Sequence, residues 1–324
     1  MGRVRLIVAD GTYHVMSRIA HREFFLNEKE RGRLLEIAKR SAWFCGVELL
    51  AYTVLSNHFH LEVHVPMAMP LSEGAVLARY AVWKGHKAAA DLASRWDRWR
   101  GQGLESAVQD DIRRLMARMH ALPKFMQLLK EWYTMDYNMR TRHVGTLWER
   151  VFKSVLVESE QVTLSGIAGY IDLNSVRAGI VSDPSEYAWS SFGEACGAQS
   201  RGCGEIWNDP AMVRRRYMKM YGSASWKEAR EKHVHTMLKL EEARSARETA
   251  LRQRGWLTAN QRWSIRALVD GVAVGSRRFI EMLHTDHPEL FLRGKRATPP
   301  RRIAGDPLGL FAFRAARDVA PRKT

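Results

Sequence analysis

The chain of 324 residues carries 51 Lys and Arg against 35 Asp and Glu, a net charge of +16 that draws it toward a polyanion, above all nucleic acid. A hydrophobic content of 46% and a charged content of 27% belong to a globular protein with room for a full core and more than one unit. No apolar run reaches the roughly 18 residues of a membrane span. The N-terminus moves straight into strand-like sequence instead of a secretory signal. Cys45, Cys196 and Cys203 are too scattered for a zinc site. A cytoplasmic, nucleoid-associated protein with reduced thiols and no membrane partner is the expectation.

Gly11 to Arg18 alternates with the period of a strand. Asn27 followed by Glu30 reads as a capping box, and the stripe Leu34, Ile37, Ala38, Ala42 and Cys45 as a helix ending near Gly46. Glu48 to Leu55 is a second strand, and Ser56-Asn57 a tight turn into a third. That third strand, His58 to Val65, alternates strictly. Phe59, Leu61, Val63 and Val65 make an apolar face, and His58, His60, Glu62 and His64 a polar one. The opening β-α-β-β order predicts an α+β fold, a small antiparallel sheet with helices on one face.

Leu71 to Met119 is long and helical in composition. Its SRWDRWRGQG segment suits either a nucleic-acid contact or a helix with buried indoles. Lys124 to Arg140 forms another helix, and Leu147 to Val157 a fourth strand carrying Arg150 and Lys153. Thr163 to Val181 reads as one helix capped by Thr163 and stopped by Gly179. On it Tyr170, Asn174 and Arg177 recur at i, i+4 and i+7 and project together. Asp183 to Ser191 closes this unit with turns. Beyond Gly197 the sequence is mostly helical and basic: a solvated helix over Ala229 to Arg254, an apolar helical rhythm over Trp263 to Leu283, and a flexible basic linker around Pro299-Pro300.

The third strand and the Tyr170 helix together supply what phosphodiester transfer needs. In a strand, residues two apart share a face, so His58 and His60 present adjacent imidazoles that can grip a divalent metal. A metal there would polarise a scissile phosphate. Hard Mg²⁺ or Mn²⁺ prefers oxygen, which makes the carboxamide of Asn174 a sensible third ligand. Tyr170 is a feasible covalent nucleophile, and Arg150, Lys153 and Arg177 can hold flanking phosphates. Glu62 and His64 lie about 7 and 13 Å beyond His60 by strand rise and read as supporting residues. Each residue also fits an ordinary role: a half-buried tyrosine, a polar helix residue, a surface cation.

Four stretches in this order, SNHFHLEVHVP, LWERVFKSVLVE, YIDLNSVRAGIV and DPSEYAWSSF, resemble the single-tyrosine HUH transposases, and among them the REP-associated tyrosine transposases (RAYTs). The resemblance spans Leu6 to Gly197. It implies a ferredoxin-like sheet with helices, with His58 and His60 as metal ligands, Asn174 as a third, and Tyr170 as nucleophile. The implied activity is Mg²⁺- or Mn²⁺-dependent cleavage and rejoining of single-stranded DNA at hairpin, palindromic sites, through a 5′-phosphotyrosine and a free 3′-OH. Such a protein works as monomer or homodimer. Two departures stand out: Ser175 where most relatives have Pro, and a longer connection from Leu71 to Leu122. The expected organisation is a transposase domain over 6–197, with a helical insertion at about 70–122, and a helical basic region over 198–324. The alternative reading is a domesticated protein that binds palindromic repeats without cutting. A hydrolytic metalloenzyme lacks a carboxylate cluster at suitable spacing.

Overall fold

The computed structural model describes residues 5–20, 25–198, 208–254, 268, 271–288, 292–293, 296–297, 300–303 and 306–313. Strand β1 (Gly11–Arg18) leads to helix α1 (Glu28–Cys45), then to β2 (Glu48–Val54) and β3 (His58–Val65). The Asn27 side chain accepts the Glu30 N–H at 3.0 Å, which realises half of the expected capping box. The Glu30 carboxylate does not return to Asn27. Both its oxygens take the Arg140 guanidinium at 2.9 Å, and Tyr133 donates to it as well. Gly46 ends α1 at φ 64°, a left-handed conformation that glycine adopts without steric cost.

The expected long helical insertion is three helices, α2 (Glu73–Lys84), α3 (His86–Gly101) and α4 (Glu105–Met116), before α5 (Leu122–Thr141). Trp96 of the SRWDRWRGQG segment is fully buried and donates its indole N–H to Asp111 at 2.9 Å. Of the two readings of that segment, burial is the one realised at Trp96. Strand β4 (Lys153–Val157) is shorter than the expected Leu147 to Val157. Trp148 makes only an isolated bridge to Ile19, because its indole N–H turns to the Lys130 carbonyl and the Thr134 hydroxyl of α5.

The expected helix over Thr163 to Val181 starts earlier and divides. Helix α6 (Gln161–Asp172) follows an N-cap at Glu160, and α7 (Asn174–Arg177) follows the break at Leu173. Gly179, at φ 69°, lies just beyond. A 3-10 turn (Pro184–Glu186) capped by Asp183 leads to α8 (Ser191–Cys196), and α9 (Pro210–Tyr221) and α10 (Trp226–Gln253) follow. The described residues end in β5 (Ala273–Gly275), α11 (Arg277–Asp286), β6 (Leu292–Arg293), β7 (Arg296–Ala297), β8 (Arg301–Arg302) and β9 (Phe311–Phe313). The apolar rhythm read over Trp263 to Leu283 thus resolves into β5 and α11, and its first part lies outside the described residues, apart from Leu268. Of the expected linker, Pro299 lies outside them too, and Arg301–Arg302 pair as a strand.

The sheet runs β2-β3-β1-β4-β5-β9-β8, antiparallel except for the parallel β4–β5 pair. Its first four strands have the ferredoxin-like order expected, within a mixed α+β fold. Tyr13, Val15, Phe59, Leu61 and Val63 point into one core, with α1 and α5 over them. Val155, Val157, Ala51 and the buried side of α6 form a second core on the opposite face, closed by α9 and α10. The region beyond 197 is mainly helical as expected, yet it also lends β5, β8 and β9 to the same sheet. Among the described residues no helix is long and apolar enough to cross a membrane.

Candidate active site

Side chains on the second face of the sheet follow from strand alternation. Register pairs Arg18 with His58, Met16 with His60, His14 with Glu62 and Thr12 with His64. Thus β1 and β3 present Thr12, His14, Met16 and Arg18 beside His58, His60, Glu62 and His64 on one surface. Helix α6 crosses this surface and brings Tyr170 over it. The Tyr170 ring meets His14 edge-on at 5.8 Å between centroids and His60 at 6.2 Å. The imidazoles of His58 and His60 are 5.1 Å apart. Residues far apart in the chain therefore converge: His58, His60 and Tyr170, all singled out by sequence, share one site.

His14 carries no mark in the sequence that singles it out. It lies beside His60 and Tyr170, stacked on His60 at 5.1 Å with 21° between ring planes. Its Nδ1 is 2.5 Å from the Leu268 carbonyl oxygen and its Nε2 is 2.9 Å from His60 Nδ1. His58 Nδ1 lies 2.6 Å from Asn57 Oδ1. Burial lowers all three imidazoles below their ordinary range. His14 falls to about 4 by burial, against a smaller raising effect of the Leu268 carbonyl. His58 falls to about 4 by burial and then by the positive charge of Arg18. His60 falls well below it by burial, then by His58, His14, Arg18 and Lys153. At neutral pH the three are uncharged, and each retains one nitrogen lone pair.

These features bear on whether the pair suits a divalent metal. Both ligand candidates have Nδ1 engaged by a neighbour, the arrangement that directs Nε2 outward as the donor atom. Among the described residues neither Nε2 makes a hydrogen bond, so the pair fits a metal. No cluster of three or more His, Cys, Asp or Glu suited to a metal occurs among the described residues. Further donors would be oxygens, as Mg²⁺ and Mn²⁺ prefer. Asn174 donates its amide N–H groups back to the carbonyls of Tyr170 and Ile171, at 3.0 and 3.2 Å, which leaves its oxygen as the atom with lone pairs to offer.

The other expected residues are spread more widely. The Arg177 guanidinium stacks on the Tyr170 ring at 5.0 Å and pairs with Glu241 of α10 at 3.4 Å. It is thus an inward-facing group beside the tyrosine, not an outlying surface cation. Lys153 is half-buried at the start of β4, across from Met16. Arg150 is exposed at the mouth of a cavity of about 660 Å³ lined by Arg5, Lys130, Trp148 and Phe152. Burial, and then Arg5, lowers Lys130 to about 8. His64 belongs to a separate group with Thr12 and Asp10. Glu62 is fully buried, and neither of its carboxylate oxygens has a hydrogen-bond partner among the described residues. Burial, then Asp172, pushes its carboxyl well above the usual range.

A second group missed by sequence reasoning fastens the tyrosine helix from beneath. Asp172, two residues after Tyr170, is fully buried. Its carboxylate accepts from Ser191 Oγ at 3.0 Å, the Phe192 N–H at 3.2 Å, Tyr217 Oη at 2.6 Å and His233 Nε2 at 3.0 Å. Tyr217 and His233 come from α9 and α10, so the basic C-terminal helices hold the end of α6. Packing there is close: a Cβ on Gly169 would sit 3.1 Å from Leu240 of α10.

Comparison with known proteins finds a family match over the first part of the chain. No curated protein matches it. A solved structure described as "Structure of the REP associates tyrosine transposase bound to a REP hairpin" is similar at 15% identity with a TM-score of 0.38, covering 64% of this chain and 90% of that one. Residues 7–77 match the model of a family described as "Transposase IS200 like". The matched segment runs from the approach to β1 through β3 into α2.

Proposed function

We propose that the protein is a single-strand DNA transposase or endonuclease that cuts and rejoins hairpin-containing DNA through Tyr170. The observation that carries this reading is the convergence of Tyr170 on the His14–His60 pair at ring distances of 5.8 and 6.2 Å. It sits within a chain whose first strands match an IS200-like transposase family. The Tyr170 oxygen attacks the scissile phosphorus, and a P–O bond to tyrosine forms as the bond to the 3′ oxygen breaks. The phenol gives up its proton, and the departing 3′ oxygen takes one up. The products are a 5′-phosphotyrosine and a 3′-OH, with the bond energy kept for rejoining.

His58 and His60, with the oxygen of Asn174, would hold Mg²⁺ or Mn²⁺, which as a Lewis acid neutralises charge on the scissile phosphate. Arg177, over the phenol ring, favours the anionic oxygen that attacks. Lys153, near enough to His60 to lower its pKa, and the exposed Arg150 three residues before it would each hold a flanking phosphate. The test is cleavage of a labelled hairpin oligonucleotide with Mn²⁺. Replacing His60 by Ala is expected to slow cleavage about 10²–10³-fold while hairpin binding in EDTA stays within about twofold. Cleavage at the wild-type rate in that variant would contradict the metal assignment.

A further inference from the structure

We infer that His14 is a positioning residue that sets which nitrogen of His60 carries its proton and which is left to face a metal. The inference rests on the reading of His60 as a ligand. A backbone carbonyl only accepts, so the His14 nitrogen 2.5 Å from the Leu268 oxygen carries a hydrogen. A neutral imidazole has one N–H, which makes His14 Nε2 an acceptor. The atom facing it at 2.9 Å is His60 Nδ1, which therefore donates. His60 Nε2 is left with the lone pair. The opposite arrangement would turn a lone pair of His14 against the Leu268 oxygen. Both rings are buried, with 2% and 3% exposure, and stacked, so solvent offers His60 little alternative for its Nδ1 proton.

The direction of the relay runs from the C-terminal region inward. Leu268 lies well beyond the four motifs that carry the transposase resemblance, and its backbone is the first acceptor in the chain of bonds. A phenylalanine in place of His14 keeps a planar ring and removes both bonds. A glutamine can restore one, because its carbonyl oxygen can stand near the position of Nε2 and accept from His60.

Nitrogen NMR of histidine-labelled, metal-free protein reads the relay directly, without DNA. Wild type is expected to show His60 as the Nδ1–H tautomer. His14→Phe is expected to shift His60 toward Nε2–H and to weaken Mn²⁺ binding, measured by calorimetry, about 10–100-fold. His14→Gln is expected to recover the tautomer and most of the affinity. A wild-type His60 protonated on Nε2 overturns the inference, even if no variant folds. So does a folded His14→Phe protein with wild-type tautomer and affinity. Failure of DNA cleavage with the expected tautomer and Mn²⁺ binding would instead refute the transposase reading and leave the relay intact.

Discussion

Arg177 shows how a residue can be found by spacing and its role sharpened by structure. Helical periodicity places it on the face of Tyr170 and Asn174, as a holder of flanking phosphates. Its guanidinium lies over the phenol ring and is tethered to Glu241. Charge next to the nucleophile matters most when negative charge develops, so Arg177→Met is expected to slow single-turnover cleavage about 10²-fold with little change in hairpin affinity. Rapid-quench kinetics at saturating protein would check it, and weaker affinity at an unchanged rate would return Arg177 to phosphate binding. His58, His60 and Tyr170 are legible in the sequence because strand and helix periods fix which side chains share a face. His14 is not, because a lone histidine on an alternating strand has no partner in sequence. Its partners, His60 and Leu268, are defined only by strand register and by the return of the C-terminal chain.

At the scale of elements, local signals locate β1, α1, β2 and β3 to within a residue or so, since alternation, the Asn27 cap and Gly46 all agree. The fourth strand reads too long because 147–152 is apolar enough for a strand, while the indole of Trp148 is drawn into α5. The split of the tyrosine helix at Leu173 has no local mark. It lies next to Asp172, whose four hydrogen bonds come from residues on α8, α9 and α10. Removing that carboxylate strands Tyr217, His233 and Ser191 in a dry interior. Asp172→Ala is therefore expected to cost about 3–5 kcal/mol of stability, lowering the thermal midpoint by roughly 4–7 °C. Calorimetric melting measures it, and a shift of only a degree or two would show that the network does not hold α6 in place.

At the scale of the whole molecule, the charge of +16 and the seven-stranded sheet belong together. The C-terminal region is legible as basic and helical, but β5, β8 and β9 are two or three residues long and carry no strand period. The pairing of β5 onto β4, with β9 and β8 beyond it, makes the region part of the sheet that supports the site, and α9 and α10 cover the face that carries Tyr170. If Arg150 and Lys153 each neutralise a phosphate, replacing both by Ala should lower the slope of log K against log salt by about 0.7 for each of the two phosphates on single-stranded DNA. Filter binding across a salt series measures this, and an unchanged slope would place the DNA path elsewhere. The most direct measurement of the central claim is the covalent intermediate itself. Wild-type protein incubated with hairpin DNA and Mn²⁺, then denatured, digested and analysed by mass spectrometry, is expected to carry a 5′-linked nucleotide on Tyr170, and Tyr170→Phe to form no adduct while still binding the hairpin. An adduct on another residue, or one that persists in Tyr170→Phe, would contradict the account.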